Sequence, residues 1–339
     1  MNWLTKVLVA AGVAVSLFTA SAARAQSDLI ISSYEPTVEL YKALNPAFEK
    51  WYKGKTGKDI DAKTDHGPSG KQSRDIASGK ETDIAALSVD FDIDNIAKAG
   101  LLDKEWRKRA PNGAVPYYSA VVFMVRKGNP KGIKDWADLA REDVVGLAPD
   151  PKTGGGARWI YLSAWAHALR TNKDKSAEEQ EKAALEFVGR VYDKAVLDPA
   201  MRGSTTRFIQ QKTGDVLFGW ENEILNVINT PAVKGQFELV VPSDSITIEV
   251  PISYVDKVTE KRGTTEAAKL FIDFLYSDEG QAIVAQFYNR PSSQAIAEKN
   301  KDRFAPLNLF KFSDHFTNWP EVMKKHFLDG GTLDQIRKK

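Results

Sequence analysis

The chain has 339 residues, with 47 Lys and Arg against 45 Asp and Glu, 42% hydrophobic residues and no cysteine. That length is too great for one core and points to two domains of ordinary size. The balance excludes long disorder and a multi-span membrane protein. The missing thiols exclude disulfides, iron–sulfur clusters and Cys-ligated zinc.

The first 25 residues differ from the rest. Lys6 precedes an apolar run from Val7 to Ala23, closed by Ala23-Arg24-Ala25 and Gln26. This order reads as a cleavable secretory signal, residues 1–25, because the run is too short for a span and ends in small residues. Without Lys6 and Arg24 the remainder carries 45 charges of each sign. A neutral exported protein is not built for nucleic acid. The four histidines, His66, His167, His315 and His326, lie too far apart in sequence for an i,i+3 or i,i+4 metal pair.

After Ser27, short apolar runs alternate with amphipathic ones. Leu29–Ile31 reads as a strand, and Tyr41, Leu44, Phe48 and Trp51 recur at helical spacing. Further strands are expected at Ile60–Thr64, Ile84–Val89, Val121–Val125, Val144–Leu147, Val216–Phe218, Phe237–Val241 and Ile248–Tyr254. Helices are expected near Gln72–Ser78, Arg158–Leu169, Ala177–Tyr192, Thr205–Lys212, Glu266–Leu275 and Gln281–Phe287. The alternation implies an α/β fold with mostly parallel sheets. Two extended runs, Tyr117–Arg126 and Ile248–Val255, suit crossings between lobes. One lobe would then be 26–117 plus 251–339, and the other 118–250.

Four turns carry chemical information. Asp65-His66-Gly67-Pro68-Ser69-Gly70-Lys71-Gln72 is not a P-loop, because Asp65 and Gln72 stand where Gly and Ser/Thr are required. It still offers small residues and the Ser69 hydroxyl at a helix start, where N–H groups are open to an anion. Thr153-Gly154-Gly155-Gly156-Ala157-Arg158 lets the backbone approach a ligand closely ahead of a helix. Arg202-Gly203-Ser204-Thr205 repeats the design. Trp220, at the end of an apolar strand, offers an N–H and no acceptor. Each turn alone could be an ordinary cap or core packing. Together they offer only donors, which suits a fully ionised oxyanion.

These segments resemble the periplasmic sulfate-binding proteins of ABC transporters. The resemblance runs through Ser33-Tyr34-Glu35-Pro36-Thr37, His66–Gln72, Val125–Lys131, Pro151–Trp159, Arg202–Thr205, Trp220–Glu223 and Val255–Val258. It implies a two-lobed, hinged type II periplasmic-binding-protein fold, each lobe a mostly parallel sheet flanked by helices. It also implies a site between the lobes and delivery of the ligand to an inner-membrane permease. Carried over, Ser69, Gly155, Gly156 and Trp220 hold the ligand, and Arg158 stands behind the glycines. Glu35 replaces the family's Asp, Gly154 a Ser whose hydroxyl reaches the ligand, and Met201 a small residue that contributes its amide. Asp65 and Asp90 stand where Ser and Ala are expected, and Ser204 is a supporting residue.

The expectation is therefore a periplasmic, monomeric binding protein for a tetrahedral oxyanion, sulfate first, using no cofactor. Thiosulfate, phosphate or another protonated small anion is the alternative. A carboxylate that reached the ligand would favour a protonated one; Glu35 paired to Arg158 would remove that conflict. A secreted hydrolase is disfavoured, since no Ser-His-Asp arrangement or Gly-x-Ser-x-Gly elbow is present. A receptor-docking sensor is a third class.

Overall fold

The computed structural model describes residues 27–337; the expected export signal lies outside them. The first third contributes strands β1 (Ser27–Ser33), β2 (Ile60–His66), β3 (Ile84–Ala86) and β4 (Tyr117–Ser119). The middle contributes β5 (Val121–Arg126), β6 (Gly146–Pro149), β7 (Val196–Asp198), β8 (Val216–Trp220) and β9 (Phe237–Val240). Five short strands follow: β10 (Ser245–Ile246), β11 (Ile248–Glu249), β12 (Ile252–Tyr254), β13 (Arg290–Pro291) and β14 (Leu309–Phe310).

The sheets define two lobes. The first has the order β12-β3-β1-β2, with β1, β2 and β3 parallel and β12 antiparallel. The second has the order β7-β6-β8-β5-β9. Its β6, β7 and β8 are parallel, whereas β5 runs against β8 and β9. The second lobe is thus more mixed than the expected mostly parallel sheet. Leu29, Ile31 and Ile84–Ala86 are fully buried, as strands covered on both faces must be.

The expected run Tyr117–Arg126 is two strands that meet at Ala120. β4 joins the small sheet β11-β4-β13, and β5 enters the second lobe. The run Ile248–Val255 divides likewise. β11 pairs with β4, and β12 pairs with β3 of the first lobe. Both segments therefore carry the chain between the main sheets.

Helices cover the sheets by burying one stripe. In Val38–Thr56 the stripe is Tyr41, Leu44, Phe48 and Tyr52, and Gly57 ends the helix in the left-handed region at φ 68°. Phe48 meets Phe271 and Phe274 of Thr265–Tyr276 at 5.0 and 5.8 Å. Helix Gly155–Thr171 is different: every residue from Ala157 to Leu169 is buried. It lies at the centre of the molecule.

The C-terminal chain explains that burial. β14 pairs with β10, Trp319 packs edge-on against Trp159 at 5.0 Å, and helix Thr332–Arg337 contacts helix Ala177–Asp193. The last thirty or so residues, assigned to the first lobe by sequence, thus make these contacts with second-lobe elements. His326 shows why they stay there. It is 1% exposed, shares a 3.2 Å hydrogen bond with Tyr161, and burial pushes its pKa down to about 3. It packs as a neutral ring.

Candidate functional site

Parallel strands aim their C-terminal ends the same way, and helices begin where they stop. In the first lobe β1 leads to the one-turn helix Glu35–Thr37, β2 to helix Ser69–Ala77, and β3 to Ser88 and helix Asp90–Lys98. In the second, β6 leads to Gly154 and helix Gly155–Thr171, β7 to helix Met201–Gln210, and β8 ends at Trp220. These ends enclose one cavity of about 50 Å³, lined by Tyr34, Glu35, Ser69, Ser88, Gly154, Gly155, Gly156, Met201 and Trp220 among others. All seven residues that the resemblance assigns to the ligand lie on it. No Lys, Arg or His does.

The cavity wall is rich in backbone donors. A helix cannot bond its own first N–H groups. Here bonding starts at Thr37 to Tyr34 O, Lys71 and Gln72 to Pro68 O, Ala157 to Gly154 O, and Gly203 and Ser204 to Ala200 O. The amides of Glu35, Ser69, Gly155, Gly156 and Met201 precede those bonded turns. Four positive helix ends, two from each lobe, thus meet at one place.

Gly155 makes the approach of the lobes possible, and Gly156 makes room for Trp220 within the second lobe. A Cβ on Gly155 would sit 2.7 Å from Ser88 Oγ and 3.3 Å from Ser69 Cβ. One on Gly156 would sit 3.1 Å from Trp220 Cζ2. Gly154 is not so confined: its nearest neighbours would be at 3.6 Å. Trp159 donates its indole N–H to Ser88 O at 2.6 Å, which ties the two lobes beside the cavity.

The Ser69 hydroxyl is already committed. It donates to Asp92 Oδ2 at 2.5 Å and accepts from the Ser88 N–H at 3.0 Å. Asp92 is 2% exposed, and its carboxylate oxygen would lie 3.2 Å from a Cβ on Gly155. Burial raises the Asp92 pKa, and the charge of Arg158 and the Ser69 bond oppose that rise. Arg158 is itself buried and depressed by burial, with Asp92 as the charge that offsets it. Its Nε donates to Pro151 O at 3.3 Å. The expected Glu35–Arg158 pair is therefore corrected: Arg158 is balanced by Asp92.

The other expected supporting residues are placed apart. Asp65 accepts from Ser32, Gln72 and Lys80. Burial alone would raise its pKa, yet these bonds hold it below its usual value. Asp90 takes two bonds from Arg107 and lines a separate pocket with Trp159 and Trp319. Neither lines the cavity. Ser204 is fully buried one turn into its helix, because that helix starts at Met201 and not near Thr205. The Met201 side chain points away from the cavity. Its Cε would lie 2.1 Å from a Cβ on Gly219, so it occupies the space that glycine leaves and packs near Ile224 and Phe208.

Trp220 is buried, with its ring 5.3 Å from that of Tyr34. Its N–H donates to Gly156 O at 2.9 Å. The indole therefore braces the first turn of the Gly155 helix, and a ligand would compete with that carbonyl for it. Ser88 and Asp92 escape sequence reading. A serine after a strand and one acid in Asp90-Phe91-Asp92-Ile93-Asp94 look ordinary. Helical spacing is the signal that separates the acids: 90 and 94 share the face toward Arg107, and 92 does not.

Comparison with known proteins places this geometry in a family. A sequence model of the bacterial extracellular solute-binding proteins matches residues 29–288. The sulfate-binding protein of Escherichia coli is 45% identical over 312 residues, 92% of this chain and 93% of that one. The thiosulfate-binding protein of Pseudomonas aeruginosa is 42% identical over 331 residues, covering 97% and 96%. The solved sulfate-binding protein SubI of Mycobacterium tuberculosis superimposes with a TM-score of 0.77 at 30% identity, covering 89% of this chain and all of that one.

Proposed function

The chain belongs to the bacterial extracellular solute-binding proteins, and we propose that it captures sulfate for an ABC importer. It is a binding protein of the type II periplasmic fold and not an enzyme. The observation that carries the ligand reading is the cavity wall: first-turn amides from both lobes, with no cationic side chain. Sulfate is a dianion without a proton to give near neutral pH. Donors alone can hold it, and backbone dipoles spread its charge. The names of the relatives from Escherichia coli and Mycobacterium tuberculosis support the same choice.

In this reading Glu35, Ser69, Gly155, Gly156 and Met201 contribute backbone N–H groups. Trp220 closes the wall and fixes Gly156. Gly154 caps the central helix. The lobes part about the two strand crossings to admit the ion, and the exported protein works as a periplasmic monomer that delivers it to a permease. Residues 1–25 direct export.

Thiosulfate is a second reading, favoured by the 42% identical Pseudomonas relative. A protonated ligand such as hydrogen phosphate has one structural argument left. Glu35 lines the cavity, whereas Asp65 and Asp90 are engaged elsewhere. Calorimetric titration of the mature protein with sulfate, thiosulfate and phosphate separates these. Sulfate binding at micromolar or lower concentration that phosphate fails to displace is the expected result. Phosphate binding that disappears in Glu35→Gln would overturn the sulfate assignment.

A further inference from the structure

Three hydroxyl side chains line the cavity: Tyr34, Ser69 and Ser88. They are not equivalent. Tyr34 presents its ring to Trp220; its hydroxyl is also buried without a hydrogen-bond partner among the described residues, but it is grouped with Tyr41 and Tyr117 of the first-lobe core. Ser69 gives its proton to Asp92. Ser88 is fully buried, and its Oγ has no hydrogen-bond partner among the described residues.

A buried hydroxyl without a partner costs about 1–3 kcal/mol, so each instance calls for a reason. The backbone around Ser88 is fully used: its N–H binds Ser69 Oγ, and its carbonyl accepts from Trp159. Only the side chain is idle. It reaches across the lobe boundary to within 2.7 Å of where a Cβ on Gly155 would be, beside an unbonded first-turn amide. We propose that the Ser88 hydroxyl is a ligand donor of this site, adding one side-chain hydrogen bond to the backbone amides that hold the oxyanion. The inference rests on the oxyanion reading and deepens it.

The geometry also supplies a rescue. Gly154 faces the same cavity from the other lobe and has φ −109° and ψ 121°, the N-cap geometry that serine favours. Its Cβ position meets nothing closer than 3.6 Å. Gly154→Ser can therefore bring a hydroxyl to the cavity without strain.

The test titrates sodium sulfate, thiosulfate and phosphate into the mature protein, Ser88→Ala, and Ser88→Ala with Gly154→Ser. Hydrogen bonds to charged groups are worth about 1.5–3 kcal/mol, so Ser88→Ala should weaken sulfate binding by about ten- to a hundredfold. The double variant should recover most of that loss. Thermal unfolding without ligand should be unchanged or slightly later in Ser88→Ala, since an unpaired hydroxyl has been removed; a purely structural serine would unfold earlier. Tight sulfate binding by the mature protein and equal binding by Ser88→Ala would overturn the role of Ser88 and leave the sulfate reading standing. Binding of none of the three anions by the mature protein would overturn the oxyanion reading and the role of Ser88 together.

Discussion

Asp83 and Asp92 lie nine residues apart in the same lobe, both buried, and their surroundings could hardly differ more. Asp83 accepts from the Ile30 N–H at 2.7 Å, Thr264 Oγ1 at 2.5 Å and Arg262 Nε at 3.2 Å. All three belong to its own lobe. Asp92 accepts one side-chain bond, from Ser69; of the two cations that oppose its rise in pKa, the stronger, Arg158, belongs to the other lobe and Arg74 to its own. A carboxylate saturated within one lobe staples that lobe. One completed from across the cleft has surroundings that depend on closure. Buried polar groups are costly unless paired, so incomplete pairing marks the region where a partner arrives.

The largest effect expected from this contrast is at Asp83. Asn has the same shape but cannot accept on both sides, so Asp83→Asn strands either the Ile30 amide or the Arg262 charge. Breaking a buried pair costs about 3–5 kcal/mol. Urea unfolding should show that loss, while the folded fraction binds sulfate as before. A stability within 1 kcal/mol of the parent, on the order of a surface change, would mean that Asp83 is no staple.

Glu223 extends the contrast to a buried acid that accepts no hydrogen bond among the described residues. It is 6% exposed, and burial pushes its pKa up to about 7, with Arg202 opposing and Glu39 and Glu35 adding. The folded pKa lies above the ordinary 4.5. Its stabilising contribution is therefore complete below about pH 4.5 and lost as pH rises through about 7. The full swing is at most about 3 kcal/mol. Glu223→Gln should flatten the stability profile between pH 5 and 8, roughly the window those values set, and gain on the parent as pH rises. Parallel unfolding profiles for the two proteins would contradict this.

Much of this architecture is legible in the sequence because its signals are local. Apolar runs ending in glycine or hydroxyl turns mark β1, β2, β6 and β8, and the turns after them meet at one cavity. What sequence could not supply was direction. Glu35 and Arg158 look complementary in sequence, yet Asp92 is the acid whose charge offsets the burial of Arg158. Trp220 lines the cavity as its sequence position suggests, and the structure adds that its N–H is given to Gly156 O. The return of the C-terminal chain to the second lobe depends on Trp319 and His326 meeting the Gly155 helix, a pairing across more than 150 residues that no local pattern records.

Trp220→Phe is expected to act on binding more than on folding. It keeps the ring against Tyr34 and removes the N–H that holds Gly156 O. The first turn of the Gly155 helix loses its brace, and the cavity loses a donor within reach. Affinity for sulfate should fall about tenfold, the size of one hydrogen bond of about 1.4 kcal/mol. Unchanged affinity would reduce Trp220 to wall packing.

The smallest expected effect is the one that bears most directly on Asp92. Asn at that position still accepts from Ser69 Oγ, so the shape of the wall is preserved. The negative charge beside Gly155 disappears, and Arg158 is left as the uncompensated charge behind the glycines. For a dianion held a few ångströms away this is attraction gained, weakened by screening. Asp92→Asn should therefore bind sulfate about three- to tenfold more tightly at low salt, and the gain should shrink toward 1 M salt, where the screening length is about 3 Å. Stability moves by two opposed amounts. The raised pKa of Asp92 means that its ionised form is unfavourable above that pKa, and removing it helps there. Leaving buried Arg158 without its counter-charge costs in return. Affinity is thus the cleaner measurement. Weaker sulfate binding in Asp92→Asn would show that the carboxylate serves the anion by orienting Ser69, and that Asp92, like Asp83, acts as a staple.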